Sequence, residues 1–137
     1  MLSPFPCGCV WPSCRFAPVR VARALAHEVA DHLVLANLFG HDSHGVGMMP
    51  AYIQNTTMGH CVRNQHAKIV RDNGAVIVID GGAGYGQVIA KEAMDIAIER
   101  AKKHGVAVVG LKNSHHIGRV GHWAEQCARA GLVSRTG

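Results

Sequence analysis

The segment from Tyr85 to His104 constrains the fold more than any other part of the chain, because it carries the longest helical pattern. Its apolar residues recur at helical spacing, and they are Val88, Ile89, Ala93, Ile96 and Ala97. Basic residues close this helix, and Gly105 supplies its cap. The β-branched run from Val106 to Leu111 follows at once and predicts a buried strand.

Two further helices are predicted earlier in the chain. The first begins at Val21 and has an inward face made of Ala22, Leu25, Ala26, Val29, Leu33 and Leu38. Gly40 ends it. The second helix runs from Gly47 to Met58, and it has Pro50 in its first turn, where a helix tolerates proline.

The remaining patterns predict strands and one more helix. Residues 67–71 and 75–79 are apolar runs joined by Asp72-Asn73-Gly74, which is typical of a β-hairpin. A last helix is predicted from Val120 to Ala130, with Val120, Trp123, Ala124 and Cys127 facing inward. Leu132 to Ser134 then begins another strand.

Together these elements predict an α+β fold with two parts. Residues 21–60 form a helical amino-terminal segment, and residues 61–137 form an incomplete mixed sheet with flanking helices. Residues 1–20 hold four of the five prolines and three of the five cysteines, and they show no helical or strand period. We interpret them as an irregular tail.

Composition excludes several classes of protein. The net charge is +5, but the basic residues are scattered and aromatic residues make up 5% of the chain, so we expect no nucleic-acid partner. No apolar stretch approaches the roughly 18 residues of a membrane helix. The five cysteines follow no zinc spacing, and the amino terminus does not resemble a signal peptide. We therefore expect a reduced, cytoplasmic protein without membrane contact.

Two polar segments are candidates for chemistry, because each lies where the chain is predicted to turn. The first is residues 41–45, between helices, and the second is residues 113–118, at the carboxyl end of the predicted buried strand. Histidine suits proton transfer, since its unperturbed pKa is about 6.5. Ten histidines in one chain also make adjacent pairs unsurprising. A metal site built from His41, His44, His115 and His116 is a further alternative, although these spacings are weak signals.

A glycine-rich run precedes the longest helix. Residues 81–86 follow a strand and open a helix, as a dinucleotide-binding loop does. The strict glycine spacing fails, because Gln87 stands where the third glycine belongs. A tight turn before a helix explains the run equally well.

Taken together, the motifs resemble the type-2 malate/L-lactate dehydrogenase family, also called the sulfolactate dehydrogenase-like family. The resemblance covers about residues 29–134. It rests on Ala30-Asp31-His32-Leu33 running to Gly40-His41-Asp42-Ser43-His44-Gly45, on Asp80-Gly81 with Gly86-Gln87, and on Asn113-Ser114-His115-His116-Ile117-Gly118. Three motifs in the family's order are far more specific than one alone.

The resemblance implies a cytosolic homodimer that oxidises a small 2-hydroxy acid, or reduces the 2-oxo acid, with NAD or NADP. It implies a fold other than the classical Rossmann fold. His116 matches the catalytic acid/base, Ser43 and His44 match residues at the substrate and nicotinamide end, and Tyr52 matches a residue lining the same pocket. No metal is implied.

The chain departs from the family pattern in two ways. Met48 stands where many members have an arginine that grips the substrate carboxylate, and a thioether cannot replace that bidentate pair. Arg119 is one possible substitute, and the substrate stays open. Family members are also much longer, so we expect an amino-terminal fragment that lacks most cofactor contacts, with residues 1–20 foreign to the family.

Two functional hypotheses follow. In the first, the chain is a dehydrogenase fragment that is inactive alone. In the second, it is a catalytically inactive remnant that serves as an interaction module.

Overall fold

The computed structural model describes residues 21–136. The predicted irregular tail and Cys7, Cys9 and Cys14 lie outside the described residues. The helices are α1 (Arg23–Leu38), α2 (Met49–Thr57), α3 (Gly86–His104) and α4 (Gly121–Arg129), and the strands are β1 (Lys68–Asn73), β2 (Val76–Gly84) and β3 (Val108–Ser114). Two short 3₁₀ turns, Asp42–His44 and Val46–Met48, lie between α1 and α2. The predicted α+β class is confirmed.

The sheet is mixed and has the strand order β1-β2-β3. β1 and β2 form the predicted hairpin, in which Asn73 pairs with Val76 and Gly74 adopts a φ of +74° in the turn. β2 and β3 run parallel, with Val76 opposite Val108, and α3 provides the crossover between them. Because the two strands are parallel, the carboxyl ends of β2 and β3 lie side by side at the same end of the sheet.

Helix α3 packs against the sheet on one side and against α1 and α2 on the other. Ile77 and Ile79 of β2 are fully buried against Ala93 of α3. A second cluster joins the helices, and its members are Leu25, Val29, Leu33, Tyr52 and Val88. Val88, Ile89 and Ala93 of the predicted stripe are thus buried, while Ile96 and Ala97 are half-buried.

Helices α1 and α4 contact each other through aromatic rings. The ring of His32 stacks on Trp123 with 4.6 Å between ring centroids, and the ring of His122 lies 4.0 Å from that of His32. The indole nitrogen of Trp123 donates to the backbone oxygen of Ile117. Cys127 is buried as a free thiol, as its place on the helix predicts.

Several expectations about burial and strands are wrong. Ala22 and Ala26, which were predicted on the inward face of the first helix, are exposed. Leu38 is 77% exposed, and His32 and Ala36 take the inward positions, because they continue the helical period of Leu25 and Val29 whereas Leu38 does not. Val120 is exposed just before α4 begins. Residues 132–136 form no strand.

β3 is also less buried than its apolar sequence predicts. Val106 and Val108 are each more than half exposed. The reason is that β3 pairs with β2 on one edge and packs against α3 on one face, so its other edge and face have no cover within residues 21–136. No helix in this range is both long enough and apolar enough to cross a bilayer.

Candidate functional site

The two polar segments identified from the sequence meet beside α2. Nδ1 of His116, which follows β3, lies 2.8 Å from the hydroxyl oxygen of Tyr52. Tyr52 is buried, and its hydroxyl accepts a 2.5 Å hydrogen bond from Nε2 of Gln87 in the first turn of α3. Nε2 of His116 makes no hydrogen bond to residues 21–136. Only one ring nitrogen is therefore engaged, and the other is available to a bound molecule.

The same face of α2 holds the neighbouring histidine. Asn55 lies three residues after Tyr52, and its Nδ2 is 2.9 Å from Nε2 of His115. The His115 ring packs edge-on against the Tyr52 ring with centroids 5.3 Å apart. One turn of helix thus positions the two adjacent histidines.

His44 lies on the other side of His116. The two rings are stacked, with centroids 5.2 Å apart. Oγ of Ser43 is 2.8 Å from Nδ1 of His44, so the hydroxyl orients that ring. The structure therefore brings together Ser43, His44, Tyr52 and His116, while the roles expected for them stay predictions.

Asn37, near the end of α1, fixes the loop that carries Ser43 and His44. Its side-chain oxygen accepts a 2.8 Å hydrogen bond from the backbone of Val46, and its amide nitrogen donates to Asp42. A Cβ atom at Gly45 would lie 2.2 Å from the Asn37 oxygen. A side chain at position 45 would therefore displace the Asn37 amide from the loop, whereas the φ of −92° suits any residue.

Burial controls the ionisation of the site. Desolvation lowers the pKa of His116 below its usual 6.5, and the nearby His44 and His115 lower this pKa further. Desolvation also lowers the pKa of His115 and raises the pKa of Tyr52. Near pH 7 His116 is therefore a neutral imidazole beside a neutral phenol.

The site lacks a free arginine where the family often has one. Met48 is half-buried and packs against the cluster of Leu25 and Tyr52. Arg119, the substitute considered from the sequence, forms a two-pronged ion pair with Glu125 at 2.8 and 2.9 Å and lies over the ring of Phe39. Its guanidinium group is therefore already occupied.

The glycine-rich run packs against the chain itself. A Cβ atom at Gly86 would lie 2.2 Å from the backbone oxygen of His116, and one at Gly81 would lie 2.9 Å from that of Asn113. The amino-terminal end of α3 is thus covered by the segment that carries the histidines. This contact explains why position 86 has no side chain and favours the tight-turn explanation over a dinucleotide-binding loop.

Three residues that position the site were not identified from the sequence as functional. Asn37, Asn55 and Gln87 are amides that hold the loop, His115 and Tyr52 respectively. The one sequence feature that could have identified such a residue is a polar side chain within an apolar helical stripe, as at Gln87 beside Val88. No three potential ligands converge on a metal position in the described part of the chain.

Comparison with known proteins decides the family. The sequence profile of the malate/L-lactate dehydrogenase family matches residues 14–136. The chain belongs to this family. It is 59% identical over 109 residues to hydroxycarboxylate dehydrogenase B of Escherichia coli, a match that covers 80% of this chain and 30% of the relative.

Two further relatives extend the comparison. An L-lactate dehydrogenase of Cupriavidus necator is 43% identical over 118 residues, which are 85% of this chain and 34% of that protein. The structure of sulfolactate dehydrogenase from Methanocaldococcus jannaschii superposes with a TM-score of 0.76 at 40% identity, covering 80% of this chain and 32% of the other. The chain thus spans about a third of the length of the relatives it matches.

Proposed function

We propose that this chain carries the proton-transfer part of a 2-hydroxyacid dehydrogenase site, with His116 as the acid/base. The observation that supports this role most directly is the 2.8 Å hydrogen bond between Tyr52 and Nδ1 of His116. It fixes the ring and leaves Nε2 without a protein partner in the described range. A ring held at one nitrogen and free at the other is what a general acid/base requires.

In this proposal Nε2 of His116 exchanges the proton of the substrate oxygen. The nitrogen accepts the hydroxyl proton when a 2-hydroxy acid is oxidised and returns it when the 2-oxo acid is reduced. The hydroxyl of Tyr52 both donates and accepts hydrogen bonds, so it can stay bonded to Nδ1 in both protonation states. NAD or NADP, when bound, supplies or accepts the hydride.

The residues fit one end of a nicotinamide cofactor. His44 is half-buried beside His116, and its side chain would hold the nicotinamide amide group. The glycine-rich run packs against the backbone of His115 and His116 at the start of α3, and no role toward the cofactor phosphates is proposed for it. In this proposal the chain's own contribution to the cofactor is confined to the nicotinamide end.

The substrate is proposed to be a small 2-hydroxy or 2-oxo acid. Ser43 is exposed beside His44 and would donate to the carboxylate. A single hydroxyl binds a carboxylate more weakly than an arginine does. We therefore expect weak selection among malate-like and lactate-like acids by residues 21–136.

We propose the cytoplasmic homodimer of the family as the assembled state, and we propose that the chain is inactive on its own. Titration of the purified chain with NADH and NADPH, followed by fluorescence, tests the second point. We expect no turnover of pyruvate or oxaloacetate. Turnover that disappears in His116→Ala would show instead that the chain is a competent enzyme.

A chimeric protein tests the role of His116 itself. Residues of this chain would replace the 109 matching residues of the Escherichia coli relative. We expect the chimera to reduce 2-oxo acids with NADH or NADPH, and His116→Ala to lower kcat by about 10²- to 10⁴-fold. His27→Ala, at an exposed histidine of α1, is the matched control and should leave kcat unchanged. A His116→Ala chimera with the parent kcat would refute the assignment.

A further inference from the structure

Gln87 is a fully buried polar residue that the proton-transfer scheme does not use. It lies in the first turn of α3, between Gly86 and Val88, and its side chain has no exposed surface. Its Nε2 donates to the hydroxyl oxygen of Tyr52, while its Oε1 has no hydrogen-bond partner within residues 21–136. A buried amide with one engaged atom suggests that this one bond is its role.

The donated bond determines where the hydrogen of Tyr52 goes. A phenol has one hydrogen and accepts through its oxygen. Because Gln87 donates to that oxygen, the hydroxyl hydrogen is left for the other neighbour, Nδ1 of His116. A nitrogen that accepts this hydrogen carries none itself, so the neutral ring holds its hydrogen on Nε2.

We propose that Gln87 is a positioning residue, which acts through Tyr52 to hold neutral His116 with its hydrogen on Nε2. The inference rests on the proposed acid/base role of His116. Nε2–H at the free side of the ring donates a hydrogen bond to a carbonyl oxygen, so the resting site is arranged to receive a 2-oxo acid. In this resting form Nε2 donates a hydrogen bond but cannot accept a proton, so proton transfer requires that the ring first gain a second proton on Nδ1 or shift its hydrogen to Nδ1.

The other polar groups around His116 do not impose this arrangement. His44 stacks on the ring of His116 and forms its hydrogen bond with Ser43. His115 is bound to Asn55. Both histidines lower the pKa of His116 through their charge, so the tautomer is measured at alkaline pH, near pH 8.

Nuclear magnetic resonance of ¹⁵N-histidine-labelled chain tests the proposal without requiring turnover. In the parent protein at pH 8 we expect His116 to carry its hydrogen on Nε2. In Gln87→Glu the carboxylate only accepts, so the Tyr52 hydrogen turns toward it and the phenol oxygen accepts from Nδ1–H. The expected result is a change of His116 to the Nδ1–H form and a raised pKa.

Two controls separate this effect from added charge. Gln65→Glu introduces the same charge at a residue that contacts Gly82 and Gly84 and not Tyr52, and it should leave the hydrogen of His116 on Nε2. In a Tyr52→Phe background the connecting hydroxyl is absent. There, Gln87→Glu should no longer move the hydrogen of His116 to Nδ1.

Gln87→Met covers the case in which a buried glutamate prevents folding. It removes the donor and keeps the side-chain length, so the oxygen of Tyr52 accepts from protonated His116 without a competing donor. We expect the pKa of His116 to rise by about half a unit or more. A parent ring with its hydrogen on Nδ1, or a folded Gln87 variant that leaves both tautomer and pKa unchanged, would overturn the proposal. Either result leaves the chimera test of His116 unaffected.

Discussion

Tyr52 is the residue at which the contacts of the site converge. Its ring belongs to the helical core cluster, and its hydroxyl contacts both Gln87 and His116. We predict that Tyr52→Phe lowers the free energy of unfolding by about 1–3 kcal/mol, because it leaves a buried amide without an acceptor. Chemical denaturation monitored by circular dichroism measures this change.

Tyr85→Phe is the matched control for this substitution. The hydroxyl of Tyr85 lies 3.4 Å from Oγ1 of Thr56, a longer contact on a half-buried side chain. Removing this hydroxyl should lower the free energy of unfolding by much less than Tyr52→Phe does. Equal decreases in the free energy of unfolding for the two variants would show that the Tyr52 hydroxyl stabilises the fold no more than the Tyr85 hydroxyl does.

His32 makes the stability of the fold depend on pH. Burial, the neighbouring His122 and Arg119 lower the pKa of His32 to about 4. His32 therefore binds a proton near pH 6.5 in the unfolded chain but only near pH 4 in the folded chain. We predict that stability is fully present above pH 6.5 and falls by up to about 3 kcal/mol as the pH drops to 4.

The measurement is the free energy of unfolding at several pH values for the parent and for His32→Phe, which keeps an aromatic ring against Trp123. The variant should lose less stability between pH 6.5 and 4. His27→Phe, at an exposed position on the same helix, should behave like the parent. Identical pH profiles for the parent and His32→Phe would contradict the prediction.

At the scale of elements, the start of α3 is tied to the segment that follows β3. Gly86 allows the backbone of His115 and His116 to cross the helix end, since a Cβ there would lie 2.2–2.4 Å from both carbonyl oxygens. We predict that Gly86→Ala costs about 1–3 kcal/mol of stability and shifts the His116 resonances, because backbone must move. Denaturation and histidine spectra measure the two effects.

Gly47→Ala provides the comparison. Gly47 has open space around its Cβ position and lies in a 3₁₀ turn without a positive φ. Its substitution should leave stability and the His116 spectrum nearly unchanged. If Gly86→Ala also left both the stability and the His116 spectrum unchanged, the close packing at the start of α3 would not determine the position of His116.

The elements follow from sequence where a long period or a specific turn residue specifies them. The helix predicted from Tyr85 to His104 begins one residue later, at Gly86, and the predicted hairpin forms with its turn at Gly74. The errors come from tertiary context. His32 is absent from the predicted inward face of α1, yet stacking on Trp123 buries it.

The site was predictable in part. The histidine-rich segments and Tyr52 follow from motifs, and the structure places them together. The contact between Asn55 and His115 joins residues 60 positions apart, and no spacing rule reveals such a pair. The same holds for Gln87, whose partner lies 35 positions away.

At the scale of the whole molecule, both outer edges of the sheet and one face of β3 are uncovered in the described range. Val76 of β2 and Val106 and Val108 beside or within β3 are each about half exposed. Unpaired strand edges with apolar side chains promote association. We predict that the chain self-associates as its concentration rises, and that Val108→Lys reduces this association. Sedimentation velocity over a concentration series measures it.

Val133→Lys is the control for added charge. Val133 is fully exposed and lies outside the sheet. This variant should associate as the parent does. A parent chain that stays monomeric throughout the series, or equal behaviour of the two lysine variants, would contradict a role for the β3 edge.

The stacked pair of His32 and Trp123 has an optical consequence. Protonated imidazole quenches indole emission on contact, and this pair connects the first and last helices of the described range. With Trp11 replaced by phenylalanine, the remaining tryptophan fluorescence comes from Trp123 alone. Its brightness then reports in real time, without any attached dye, whether α1 and α4 are in contact and whether His32 has gained a proton.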